Sequence, residues 1–143
     1  MRQLRFFALM LLLILGVQGQ AKSHKKPRMQ SVYVFGFSAS FTDSIAFLTD
    51  VMKVDSAYIM PNGFLADRSY YALQLENFVL GEHRVKNSTN AVYFSTKKKQ
   101  VDKIYEKMNR KYQRSDKFLL IYVGEDELKF KASPYVDPET YGK

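Results

Sequence analysis

Hydrophobic and polar positions along the chain fall into segments of two periods. Residues 32–37 (VYVFGF) and 118–123 (FLLIYV) are continuously apolar and rich in β-branched and aromatic side chains, the pattern of strands covered on both faces. Residues 90–95 (NAVYFS) predict a further strand, and 57–60 a weaker one ended by Pro61, Asn62 and Gly63. The stretches between them read as helices. At 40–43 (SFTD) a hydroxyl stands three residues before an acid, a helix-start signature. It predicts a short helix over 43–52 that buries Ile45, Leu48, Val51 and Met52. Asp67 or Ser69 caps a second helix running to about residue 80, with Tyr71, Ala72, Leu75, Phe78 and Val79 on its apolar face and Gly81 placed to stop it. A long third helix covers 96–114. After the turn at 124–127, Leu128 and Phe130 alternate with Lys129 and Lys131, predicting a lysine-protected edge strand in a hairpin with 118–123. The order β-α-β-α-β-α-β-β predicts one small α/β domain over 32–132. Its sheet would be mainly parallel, with four to five strands covered by three helices.

The ends change the picture of where this domain works. Arg2 and Arg5 precede an unbroken apolar run over 6–15, and Gly19 and Ala21 follow at small-residue positions. Basic, apolar and small-residue regions in that order are the export-signal pattern, and cleavage is expected after Ala21 or Gly19. The apolar run is shorter than the roughly 20 residues a membrane-spanning helix needs, so no transmembrane segment remains after cleavage. Residues 22–31 (KSHKKPRMQS) read as a basic flexible leader, and 133–143 as a loose tail. The chain has no cysteine, which excludes disulfides, thiolate zinc sites and thiol nucleophiles. The expected location is periplasmic or secreted.

Composition adds a net charge of +8, 10 tyrosines and 11 phenylalanines; the aromatics fall mostly on core faces. The charge is concentrated in the leader and in 96–114. On a helical projection Val101, Ile104, Tyr105, Met108 and Tyr112 share one arc, while Lys99, Lys103, Lys107, Arg110 and Arg114 fall opposite. That stripe reads either as an ordinary solvated face or as a surface for an anionic envelope component. Nucleic acid is the weaker candidate, because the tyrosines of this helix point to the core rather than beside the stripe.

Lys97, Lys98 and Lys99 crowd the first turn of that helix, where the dipole already presents positive charge. With Ser95 and Thr96 they suggest an anion receptor. Ser38, Ser40 and Thr42 follow the first strand in the same way. In a parallel sheet both loops lie beyond strand carboxyl ends and could converge on one anionic ligand. The same hydroxyls also serve as plain helix caps. No catalytic set is identified: His83 beside Glu82 and Arg84 reads as a surface histidine, and no nucleophile elbow is present. Neither a metal site nor a cofactor is indicated.

Segments 35–44 (FGFSASFTDS) and 92–99 (VYFSTKKK), with the helix after the latter, resemble a family of small uncharacterised exported proteins of anaerobic Gram-negative bacteria. The resemblance covers about 31–123 and implies export and bacterial origin. The functional expectation is a non-enzymatic periplasmic or secreted binding module that meets a protein or an anionic envelope partner through the basic helix and leader. The alternative is a small hydrolase or transferase acting on a phosphorylated substrate at the 38–44 and 95–99 loops.

Overall fold

A computed structural model describes residues 26–138. Residues 1–21, where the sequence predicts an export signal, lie outside the described residues, as does the expected leader up to residue 25. The elements, in order, are β1 (Arg28–Ser40), β2 (Ile45–Thr49), β3 (Met52–Ile59), α1 (Arg68–His83), β4 (Thr89–Ser95), α2 (Lys98–Gln113) and β5 (Leu119–Val123). Arg28 to Ser31, read as flexible leader from the sequence, are the first residues of β1.

The predicted helix over 43–52 does not form. The chain instead turns back after Ser40, and β2 and β3 run antiparallel to β1 as the second arm of one long hairpin. The helix-start signature is used in the turn: the Ser40 hydroxyl accepts the Asp43 backbone N–H at 3.2 Å and donates to Asp43 Oδ2 at 2.9 Å. Ser44 then takes φ 54°, which lets the chain reverse. Residues 46–49 are buried without a break, as a strand between two layers requires and a surface helix does not. Between the two arms, Phe35 and Gly36 face the three residues 49–51, a β-bulge. Thr49 mends the ladder there, its Oγ1 accepting the Gly36 N–H at 2.8 Å.

β4 pairs antiparallel with the other edge of β1, and β5 pairs parallel with β2. The sheet is therefore mixed and mostly antiparallel, and among the described residues it carries two helices rather than three. One helix packs on each face. Val32 and Val34 of β1, Phe47 of β2 and Val92 of β4 meet Tyr71, Leu75 and Val79 of α1. Phe35, Phe37 and Ala39, on the alternate side of β1, meet Val101 of α2, with Tyr105, Met108 and Tyr112 packed around. Alternation with period two along β1 thus feeds two cores.

Helix α1 runs through Gly81 and stops at Arg84, which adopts φ 56°; the Val85 N–H reaches back to the Val79 carbonyl at 3.3 Å. Asp67 precedes the helix without capping it, and its carboxylate accepts the Ser133 hydroxyl at 2.6 Å. Residues 128–131 do not form the predicted edge strand. A turn closed by the Leu128 N–H on the Gly124 carbonyl swings the chain across the α1 face. There Phe130 is buried, Lys131 exchanges two hydrogen bonds with Gln74, and the Ser133 N–H donates to the Tyr71 hydroxyl at 3.2 Å.

Candidate functional site: the basic face of α2

The direction of β4 decides which of the sequence-predicted residues can act together. β1 and β4 are neighbours, but antiparallel ones, with Ala39 opposite Thr89 and Tyr33 opposite Ser95. The two hydroxyl-rich loops therefore lie at opposite ends of the sheet, separated by about 20 Å at 3.3 Å per residue. Ser38, Ser40 and Thr42 cannot share a ligand with Ser95, Thr96, Lys97, Lys98 and Lys99. Ser38 and Ser40 are not in a loop at all: both are fully buried on the α1 face of β1. Ser40 is committed to Asp43, and the Ser38 hydroxyl has no hydrogen-bond partner among the described residues. Thr42 is exposed at the turn.

At the other end, Ser95 organises the start of α2. Its hydroxyl accepts the Lys97 N–H at 3.1 Å and donates to Gln100 Oε1 at 2.7 Å. Lys97 occupies the position before the helix in an extended conformation, and no side chain caps the first turn. Lys98 is drawn back to Asp102, one turn on, at 2.8 Å. One lysine of the cluster is thus neutralised from within the helix, while Thr96, Lys97 and Lys99 face solvent.

Beyond the first turn the helix surface is strongly two-sided. Val101, Tyr105, Met108 and Tyr112 fall within an arc of about 60° at 100° per residue and point to the sheet. Tyr105 sets its ring edge against Phe35 at 5.4 Å, and Tyr112 packs on Phe37 at 4.3 Å between ring centres. Ile104, grouped with them by sequence, sits about 40° outside that arc and is 38 % exposed. Lys99, Lys103, Lys107, Arg110 and Arg114 occupy an arc of about 80° on the far side. All five are exposed, and none pairs with a carboxylate among the described residues. They form a stripe roughly 22 Å long, at 1.5 Å per residue. Arg110 Nε also leans on the Glu106 carbonyl at 3.4 Å, and the Lys111 ammonium lies 5.3 Å from the Tyr112 ring centre.

The leader residues that are described, Lys26 and Arg28, are exposed and lie toward the end of the sheet where β4 finishes and α2 begins. A feature not foreseen from sequence is an open depression of about 730 Å³ between α1 and the start of β4, lined by Asp67, Glu76, Ser88 and Asn90 among others. It is built from residues remote in sequence and carries no local signature. His83 lies exposed at the end of α1, as the sequence suggests, and its ring also packs on Phe47 and Phe78 at 4.7 and 5.5 Å. Among the described residues no cluster of His, Asp and Glu could hold a metal ion, and no helix is long and apolar enough to cross a membrane. No protein-family model, curated protein or solved structure matches the chain.

Proposed function

We propose that this is an exported, non-enzymatic binding module that engages an anionic component of the cell envelope through the outer face of α2. One observation carries the reading: five cations in a single stripe, unpaired with any described carboxylate, on a helix whose opposite side is fixed to the sheet by aromatic packing. A stripe held this way meets an anionic surface without ordering a flexible segment first. Each basic side chain near an anionic membrane contributes about 1 kcal/mol, so the stripe outweighs any one residue in it. The exposed Lys26 and Arg28 extend the same field toward the end of the sheet where α2 begins.

The test is retention on heparin and on vesicles containing phosphatidylglycerol. Replacing Lys99, Lys103, Lys107 and Arg110 by Gln is expected to weaken vesicle binding by at least about tenfold while leaving the thermal transition in place. Retention equal to that of the parent chain would show that α2 is an ordinary solvated helix.

A further inference from the structure

Two outer edges of the sheet, those of β4 and β5, are treated differently. At β4 the edge is blocked: Arg68 places its Nε and Nη2 on the Val92 carbonyl, at 3.1 and 2.6 Å, with its guanidinium 5.7 Å from the Phe94 ring centre. At β5 no such device exists among the described residues. The segment 128–131, whose lysines would have protected this edge, has crossed to the α1 face instead. β5 itself (LLIYV) has no charge, no proline and no bulge, and Leu119 is 65 % and Tyr122 49 % exposed along it. An unguarded apolar edge of this kind is a template for another strand.

Backbone direction shows which groups are on offer. The Leu119 N–H donates to the Ser44 carbonyl, and the Val123 carbonyl accepts the Asp50 N–H. Leu119, Ile121 and Val123 therefore turn their main-chain groups toward β2, and by alternation Leu120 and Tyr122 turn theirs outward. The net charges at the two ends of β5 are opposite in sign. Arg114, Asp116 and Lys117 precede it, and Glu125, Asp126 and Glu127 follow, with Lys129 reaching back to Glu125 at 3.5 Å. Lys117 and Glu125, eight positions apart across the strand, lie more than about 20 Å from each other, too far to pair within one chain; the solvent-exposed Lys129–Glu125 pair leaves Lys117 free for a partner of opposite charge.

We propose that β5 pairs antiparallel with β5 of a second copy, about a two-fold axis at Ile121. In that register Leu120 of each copy faces Tyr122 of the other, so the outward N–H and C=O groups of both are satisfied reciprocally. The basic start of each β5 then lies against the acidic turn that follows the other, with Lys117 opposite Glu125. Two sheets become one continuous sheet, and both α2 helices lie on the same side of it.

Sedimentation equilibrium of the purified chain between about 1 µM and 1 mM, a span that covers weak to moderate dimers, tests this. A concentration-dependent dimer is expected. Leu119→Lys, at an exposed position that leaves the monomer's packing untouched, should raise its dissociation constant by at least about tenfold. Lys117→Glu and Glu125→Lys should each weaken it severalfold, since each change acts at two symmetric contacts, and the double exchange should recover the parent value within about threefold. A chain that stays monomeric throughout overturns the proposal, as does a dimer indifferent to Leu119→Lys or a double exchange no tighter than the single ones.

Discussion

At Gly36 the sheet has no room for a methyl group. A Cβ there would stand 2.9 Å from both Leu75 Cδ2 and Phe130 Cζ, with the Thr49 methyl at 3.4 Å. The missing side chain is what lets Phe130 slide between α1 and the sheet, and so what lets the segment after β5 cross the molecule. Gly36→Ala should cost about 1–3 kcal/mol of stability, the usual range for overpacking a tight core, read as a lower urea midpoint with unchanged m-value. A neutral result would mean that the Phe130 crossing is loosely packed. Tyr105 offers a second probe. Burial pushes its hydroxyl above the ordinary tyrosine range, and the nearby Asp50 and Tyr122 charges act in the same direction. The unfolded chain gives up this proton near its ordinary pKa of about 10, while the folded chain holds it to higher pH. Between those two points the folded state carries more protons, so stability falls as pH rises. Tyr105→Phe removes that contribution and should lose less stability than the parent between about pH 9 and 11. Equal losses would argue that this ring is more open to water than its packing on Phe35 implies. Tyr71 is raised by burial as well, but its hydroxyl accepts the Ser133 N–H, so Tyr71→Phe would mix titration with a broken hydrogen bond.

Among the elements, α2 was the most legible in the sequence, because a stripe at period 3.6 is a local property of 16 residues and needs no knowledge of what it packs against. β1, β4 and β5 were visible for a related reason, their apolar runs being too dense for a one-faced element. The turn at Ser40 was not. A hydroxyl three residues ahead of Asp43 closes a helix start and a hairpin turn with the same hydrogen bond, and only the neighbours that bury 46–49 from both sides decide between them. That single ambiguity carried far. A helix at 43–52 would have returned the chain parallel to β1, whereas a hairpin sends it back antiparallel and reverses the pairings that follow. The convergence expected of Ser40 and Ser95 depended on that direction and was lost with it. Lys129 and Lys131 show the complementary case: alternation says which side chains go inward, and Phe130 does, but it does not say which surface receives them.

Over the whole molecule, the sheet holds two cores apart and β1 joins them. Val34 and Phe35, adjacent in sequence, belong to different clusters, so each core is anchored to the same strand. β1 is also paired along both edges, with β2 and β3 on one side and β4 on the other. β5 touches the rest of the sheet through β2 alone, and in parallel. The partners Ile45 and Leu119 are about 70 positions apart in the chain, whereas Ser40 and Ile45 are joined by a tight turn. Closing the hairpin therefore costs little chain entropy, and closing the β2–β5 pair costs much more, a difference that separates fast local contacts from slow distant ones. The hairpin is the natural first structure to form, and the sheet is completed only when the last strand arrives. In dilute solution the inward-facing amide of Ile121 should accordingly exchange with deuterium sooner than that of Phe35 or Val34. Equal rates would mean the molecule opens only as a unit. A nascent chain that has not yet released β5 leaves the outer edge of β2 bare, and the growing protein must hold its two-sided sheet together through β1 until that strand appears.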